Sequence, residues 1–136
     1  MIPAFAVERT TELLFDLIQL QTSKRIPDVP IFLDSPLAVR VTEVFRKHAS
    51  SLDLPHAAGA IMSPTLRFAV TADESKAIDR IKSGAIVMAA SGMCDAGRIR
   101  HHLKQWLWSE KCTVLLTGYQ AVGTLGRLLA DGARSV

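Results

Sequence analysis

Residues 85–104, AIVMAASGMCDAGRIRHHLK, and residues 113–127, TVLLTGYQAVGTLGR, hold most of the side chains whose types and spacing point to chemistry. Each runs from an apolar stretch through a loop of small and polar residues into a helix that opens on Gly and basic residues. In a parallel α/β sheet such a loop stands at the carboxyl end of a strand, where ligands bind. Unpaired N–H groups and partial positive charge at a helix start favour anions there, and phosphate is the natural candidate. The loop GYQAVGT at 118–124 has the two-glycine spacing of a phosphate-binding loop, but Thr124 stands where that loop needs Lys. Ala121 also breaks the dinucleotide fingerprint. What survives is a looser cradle, in which backbone amides with Tyr119, Gln120 and Thr124 hold one phosphate or sugar. Ser91, Gly92 and Met93 make a matching loop with Arg98 at the next helix start. The same residues also fit an ordinary turn with a Ser cap and a Gly at positive φ.

Catalytic constellations are harder to assemble. A hydrolase elbow around Ser91 would need glycines where Ala89 and Met93 stand, and no His follows His102 to act as base. The four histidines are His48, His56, His101 and His102, with no HxH or HExxH pattern. Adjacent helical residues point about 100° apart, so His101 and His102 do not chelate one ion. One of that pair is read as a phosphate contact, His101 being the candidate, and the other as a core or surface residue. Asp34, at the end of a strand beside Ser35, is the best-placed carboxylate for acid–base work, though hydrogen bonding to the turn and helix start explains it as well. No catalytic residue and no metal ligand is assigned. Cys94 and Cys112 lack CxxC spacing and read as reduced, structural thiols. Trp106 and Trp108 read as core or partner-facing residues.

The elements that would position these loops follow from periodicity. The 136 residues, 49% hydrophobic and 21% charged, suit one globular domain. A net charge of +3 is a mild basic bias, concentrated at Arg98, Arg100, His101, His102 and Lys104, although solvated helix faces would look the same. No stretch reads as a signal peptide or a membrane span, so a cytoplasmic, soluble protein is expected. IPAFA reads as the tail of a truncated first strand. A helix follows over 8–20, then a strand over 31–33 and a helix begun by Ser35-Pro36, with Leu37, Val41, Val44, Phe45 and His48 at helical spacing. Residues 50–64 read as an irregular surface excursion. Beyond it come a strand over 66–70, a capping box at Thr71–Glu74 opening a helix, and strands over 85–90 and 113–117 that alternate with helices over 97–108 and 123–130. The pattern predicts an α/β fold of three layers, a mostly parallel twisted sheet with helices on both faces.

Five segments in order, IPAFAVERTTELL, FLDSPLAVRVTEVF, ADESKAI, GAIVMAASGMCDAGRIRHHLK and GYQAVGTLGR, resemble the β-CASP domain, a Rossmann-like insertion in the metallo-β-lactamase fold of zinc-dependent nucleases. The likeness covers essentially the whole chain. It is strongest to the bacterial and archaeal RNA-processing branch, similar to the cleavage and polyadenylation endonuclease, with RNase J more distant. It implies a single β-CASP domain over 1–136, a fragment of a larger nuclease architecture. The family's zinc ligands lie in the lactamase domain and its flanking motifs, so no cofactor is expected here and the chain is expected to be catalytically silent alone. The resemblance further implies weak RNA contacts through Arg9, Ser35, Ser91, Gly92, Met93, Arg98, Tyr119, Gln120 and Thr124. A competing reading is an interaction module that dimerises through an exposed sheet edge or pairs with a separate lactamase-fold chain. A generic small enzyme or nucleotide binder of doubly wound type rests on fold analogy alone.

Overall fold

Four short parallel strands form one sheet in a computed structural model that describes residues 1–5, 9–48, 62–133 and 135–136. In chain order the elements are β1 (Ile2–Pro3), α1 (Arg9–Thr22), β2 (Ile31–Asp34), α2 (Pro36–His48), β3 (Leu66–Phe68), α3 (Ala72–Ile78), β4 (Ile86–Ala89), α4 (Arg98–Trp106) and α5 (Leu125–Ala130). The strand order is β1-β4-β2-β3, and every pairing is parallel. Parallel strands need crossovers, and the helices supply them. The expectation for residues 50–64 falls, as far as residue 61, outside the described residues.

Register separates the two faces of the sheet. Ile2, Met88, Leu33 and Phe68 are laterally paired, as are Ile86, Ile31 and Leu66, so these residues share one face. On that face Leu14 and Ile18 of α1 and Ala38 and Val39 of α2 complete a buried cluster with Ile2, Ile31, Leu33, Leu66 and Met88. Asp34 and Ala89 pair with each other and point the other way. There Ala89 packs with Cys94 and with Ile99 and Leu103 of α4, and Leu125 and Leu129 of α5 lie against them. Helices therefore cover both faces of a parallel sheet, the three-layer α/β arrangement.

Two local expectations change. Residues 113–117 form no strand. The Met1 ammonium donates to the Thr113 carbonyl at 2.5 Å and the Leu115 N–H donates to the Met1 carbonyl at 2.9 Å, which is a single rung of parallel pairing. The next rung needs an N–H from Pro3, and proline has none. In α2 the buried residues are Ala38, Val39 and Thr42, whereas Leu37 and Val44 are each 57% exposed. The Ser35 hydroxyl accepts from the Ala38 N–H at 3.3 Å, so the helix starts directly off β2 and its rotation is set there, turning the small residues inward.

Candidate functional site

The carboxyl ends of β1 and β4 and the segment after Leu116 enclose a cavity of about 430 Å³ lined by Pro3, Ala4, Phe5, Arg9, Gly92, Thr117, Gly118 and Tyr119. Each wall has a local cause. Phe5 ends the β1 segment, and its carbonyl accepts from the Thr10 hydroxyl, which ties it to the first turn of α1. Arg9 opens α1 and is exposed, pairing with Glu12 at 2.9 Å. Gly92 lies beneath the Phe5 ring so closely that a Cβ there would stand 2.8 Å from two ring carbons. Gln120 locks the two loops together: its Nε2 donates to the Gly92 carbonyl at 3.0 Å and to the Gly118 carbonyl at 3.1 Å. Tyr119 projects from the loop with 73% of its surface exposed.

Of the residues singled out in the sequence, the structure thus gathers Arg9, Gly92 and Tyr119 around one cavity, with Gln120 bracing it. Met93 contributes backbone, its carbonyl accepting from the Gly126 N–H at 2.9 Å. Ser91 closes the β4 loop, its N–H donating to the Ala96 carbonyl and its carbonyl accepting from the Cys94 N–H, both at 3.1 Å. Ser35 caps α2. Thr124 caps α5: its hydroxyl donates to the Ala121 carbonyl at 2.7 Å and accepts from the Arg127 N–H at 3.2 Å. His101 is exposed on α4 and is not among the cavity's lining residues. Gly118, the first glycine of the 118–124 loop, also lines the cavity, as do Phe5 and Thr117, which spacing did not mark. An aromatic residue immediately past a strand end was the available signal for Phe5.

Arg98 sits one strand over, in a buried polar cluster. Its guanidinium donates to Asp34 Oδ1 at 2.6 Å and to the carbonyls of Ala69 and Val70 at 3.0 and 2.7 Å. The Ser75 hydroxyl donates to Asp34 Oδ2 at 2.6 Å. His102 places Nε2 2.7 Å from Asp34 Oδ2 and Nδ1 2.8 Å from Asp79 Oδ1. A carboxylate only accepts, so satisfying both contacts takes a proton on each ring nitrogen, an imidazolium held between two anions. Burial pushes the Asp34 carboxyl up, but hydrogen bonds from His102, Ser75 and Arg98 outweigh it and hold its pKa below 3.8. Burial alone would lower His102; its bonds to Asp34 and Asp79 prevail and raise its pKa above 6.5. The side chains of Asp34 and His102 are 0% and 1% exposed, which puts both out of reach of a substrate. The acid–base possibility at Asp34 gives way to hydrogen bonding, with partners on α3 and α4 instead of the adjoining turn. Burial, then the neighbouring Asp95, drives the Cys94 thiol up to about 11, so it is no nucleophile near neutrality. Both cysteines are free.

Among the described residues no group of three or more His, Cys, Asp or Glu is arranged to hold a metal ion. The described residues do not fit a zinc centre, because the one buried histidine among them has both nitrogens committed to carboxylates. No helix, among the described residues, is long and apolar enough to cross a membrane. The arrangement suits binding: aromatic surface and a cation around a cavity, on loops braced from behind.

Comparison with known proteins agrees with this architecture. The family model described as the Beta-Casp domain matches residues 10–129. Ribonuclease TTHA0252 of Thermus thermophilus is 35% identical over 93% of this chain, and the RNase J-like protein of Methanocaldococcus jannaschii is 34% identical over all of it. The transcription termination factor FttA of Methanosarcina mazei is 26% identical, again over the whole chain. The chain spans 30%, 32% and 22% of the lengths of these three relatives. Its sheet, its helices and the extent of that match establish that the chain belongs to the β-CASP domain family.

Proposed function

We propose that this domain is an RNA-binding clamp of a β-CASP ribonuclease, holding the nucleic acid while the zinc chemistry resides outside these residues, so that by itself it binds weakly and does not cut. The observation that carries this reading is the cavity at the strand ends, where Arg9, Gly92 and Tyr119 converge. Two relatives named as ribonucleases or RNase-like proteins support RNA as the ligand. A single exposed guanidinium and a few backbone amides neutralise little phosphate charge, so affinity is low and falls with salt. The mechanism is positioning: Arg9 and backbone N–H groups fix phosphates while the aromatic side chains take base or sugar.

The test titrates the chain into fluorescently labelled single-stranded RNA at about 50 and about 200 mM salt, beside Arg9→Ala. Arg9 is exposed and, among the described residues, pairs with an exposed Glu12 in its own helix turn, so its removal is expected to leave the fold intact. The expected result is salt-sensitive binding whose log–log salt slope shrinks by about one in the variant. Absence of binding at the lower salt, or an unchanged slope, removes the rim from consideration. Metal-dependent cutting of the RNA by the purified chain would overturn the silent-clamp reading.

A further inference from the structure

We infer that the cavity between Phe5, Arg9 and Tyr119 takes one unpaired nucleotide, its base stacked on the Tyr119 ring and its phosphate drawn to Arg9. The inference rests on reading this rim as an RNA surface and adds the unit that the rim receives: a single-stranded residue with an open base face. Two aromatic side chains line the cavity, Phe5 at 51% and Tyr119 at 73% exposure, and soluble proteins keep such rings bare at the mouth of a cavity for a partner with an apolar face. Phe5 is a fixed wall, because its ring rests on Gly92 with no space for a Cβ between them. The volume of about 430 Å³ falls in the range of small-ligand sites. Arg9 supplies the positive charge at the same opening, and its partner among the described residues, Glu12, is exposed and weakly held.

Ring faces plus one cation select among nucleic acids by shape. In a duplex every base face is already stacked, leaving edges and phosphates; in a single strand the faces are free for aromatic side chains. Stacking tolerates any base, because each has a π face. The site therefore prefers single strands over duplexes and carries little sequence preference.

Tyr119 is the only tyrosine in the chain, so 3-fluorotyrosine labelling gives one fluorine resonance, placed at the cavity. That resonance is followed against a single-stranded RNA hexamer, an abasic hexamer of equal charge, an RNA duplex and inorganic phosphate, with affinities measured in parallel. The hexamer is expected to shift the resonance saturably and to bind about tenfold more tightly than the abasic strand. Tyr119→Ala should reduce that ratio to about one, and Tyr119→Trp should restore it. Equal shifts with phosphate alone or with the duplex would overturn the inference. So would hexamer binding with no shift and an unchanged ratio in Tyr119→Ala, a result that leaves the rim reading standing. If no strand binds at all, the rim reading fails, and millimolar adenosine monophosphate decides the cavity separately: a saturable shift keeps the nucleotide site and a flat response removes it.

Discussion

Gly126 lies in the first turn of α5 with its Cα against the side chain of Gln120, and a Cβ there would stand 1.7 Å from Gln120 Oε1 and 3.0 Å from the Met93 carbonyl. Glycine inside a helix ordinarily costs about 0.5–1 kcal/mol relative to alanine, so its presence marks a close approach. What it admits is the Gln120 amide that bridges the Gly92 and Gly118 carbonyls. Gly126→Ala should therefore destabilise the chain by about 1–3 kcal/mol in denaturant unfolding despite the helical preference of alanine. In a Gln120→Ala background the same change should fall to within about 1 kcal/mol of neutral, the signature of two residues that share one contact. Equal costs in both backgrounds would place the clash elsewhere. Sequence spacing marked Gln120 as a ligand residue because it is polar and sits in a loop. Its role as the brace between two loops depends on Gly92, 28 residues away, which no local pattern reveals.

Elements that begin with a chemical cap were legible, because a cap is a local event. Thr71 and Glu74 form the anticipated box at the start of α3, and Ser35 bonds the first turn of α2. Thr124 was instead read as a phosphate contact, yet its hydroxyl already makes two bonds within the start of α5. Thr124→Ala should cost about 0.5–2 kcal/mol of stability, while RNA affinity, corrected for the folded fraction, stays at the wild-type value. A drop in affinity at equal folded fraction would give the hydroxyl to the ligand after all. The buried face of α2 was not legible: residues 37, 41, 44 and 48 and residues 38, 39 and 42 both make stripes at helical spacing, and what lies opposite decides between them. Residues 113–117 have strand composition but lack a neighbour with the N–H groups to pair, since Pro3 stands at the position that would donate next. Composition reports what a segment can do; the partner decides what it does.

At the scale of the whole molecule, the polar cluster around Asp34 ties β2, α3 and α4 across the sheet face that carries the strand-end loops. Its two central members, Asp34 and His102, are 68 positions apart, which is why the sequence showed a candidate carboxylate and a doubtful histidine but not their union. The cluster makes stability depend on pH in a direction that can be worked out. His102 has a pKa above 6.5 when folded, so its contribution is fully present below 6.5 and is lost as pH rises through the folded value. Once neutral, the imidazole donates only one hydrogen bond, and its lone pair then faces either Asp34 or Asp79. Asp34 has a folded pKa below 3.8, so its contribution is present above 3.8 and is lost as pH falls through that lower value. The Met1 ammonium acts against the histidine, because burial lowers its pKa below 8.0 and deprotonation therefore favours the folded state. A wild-type curve alone mixes the two, and His102→Gln separates them. The variant should lose about 1–3 kcal/mol at pH 6, where Asp34 keeps Arg98 but Asp34 and Asp79 lose the imidazolium that bridges them, and the gap should narrow steadily as pH rises above 6.5. A gap that stays constant from pH 6 to pH 9 would mean that His102 binds protons alike in the folded and unfolded chain, and that its contacts with Asp34 and Asp79 add nothing to its basicity.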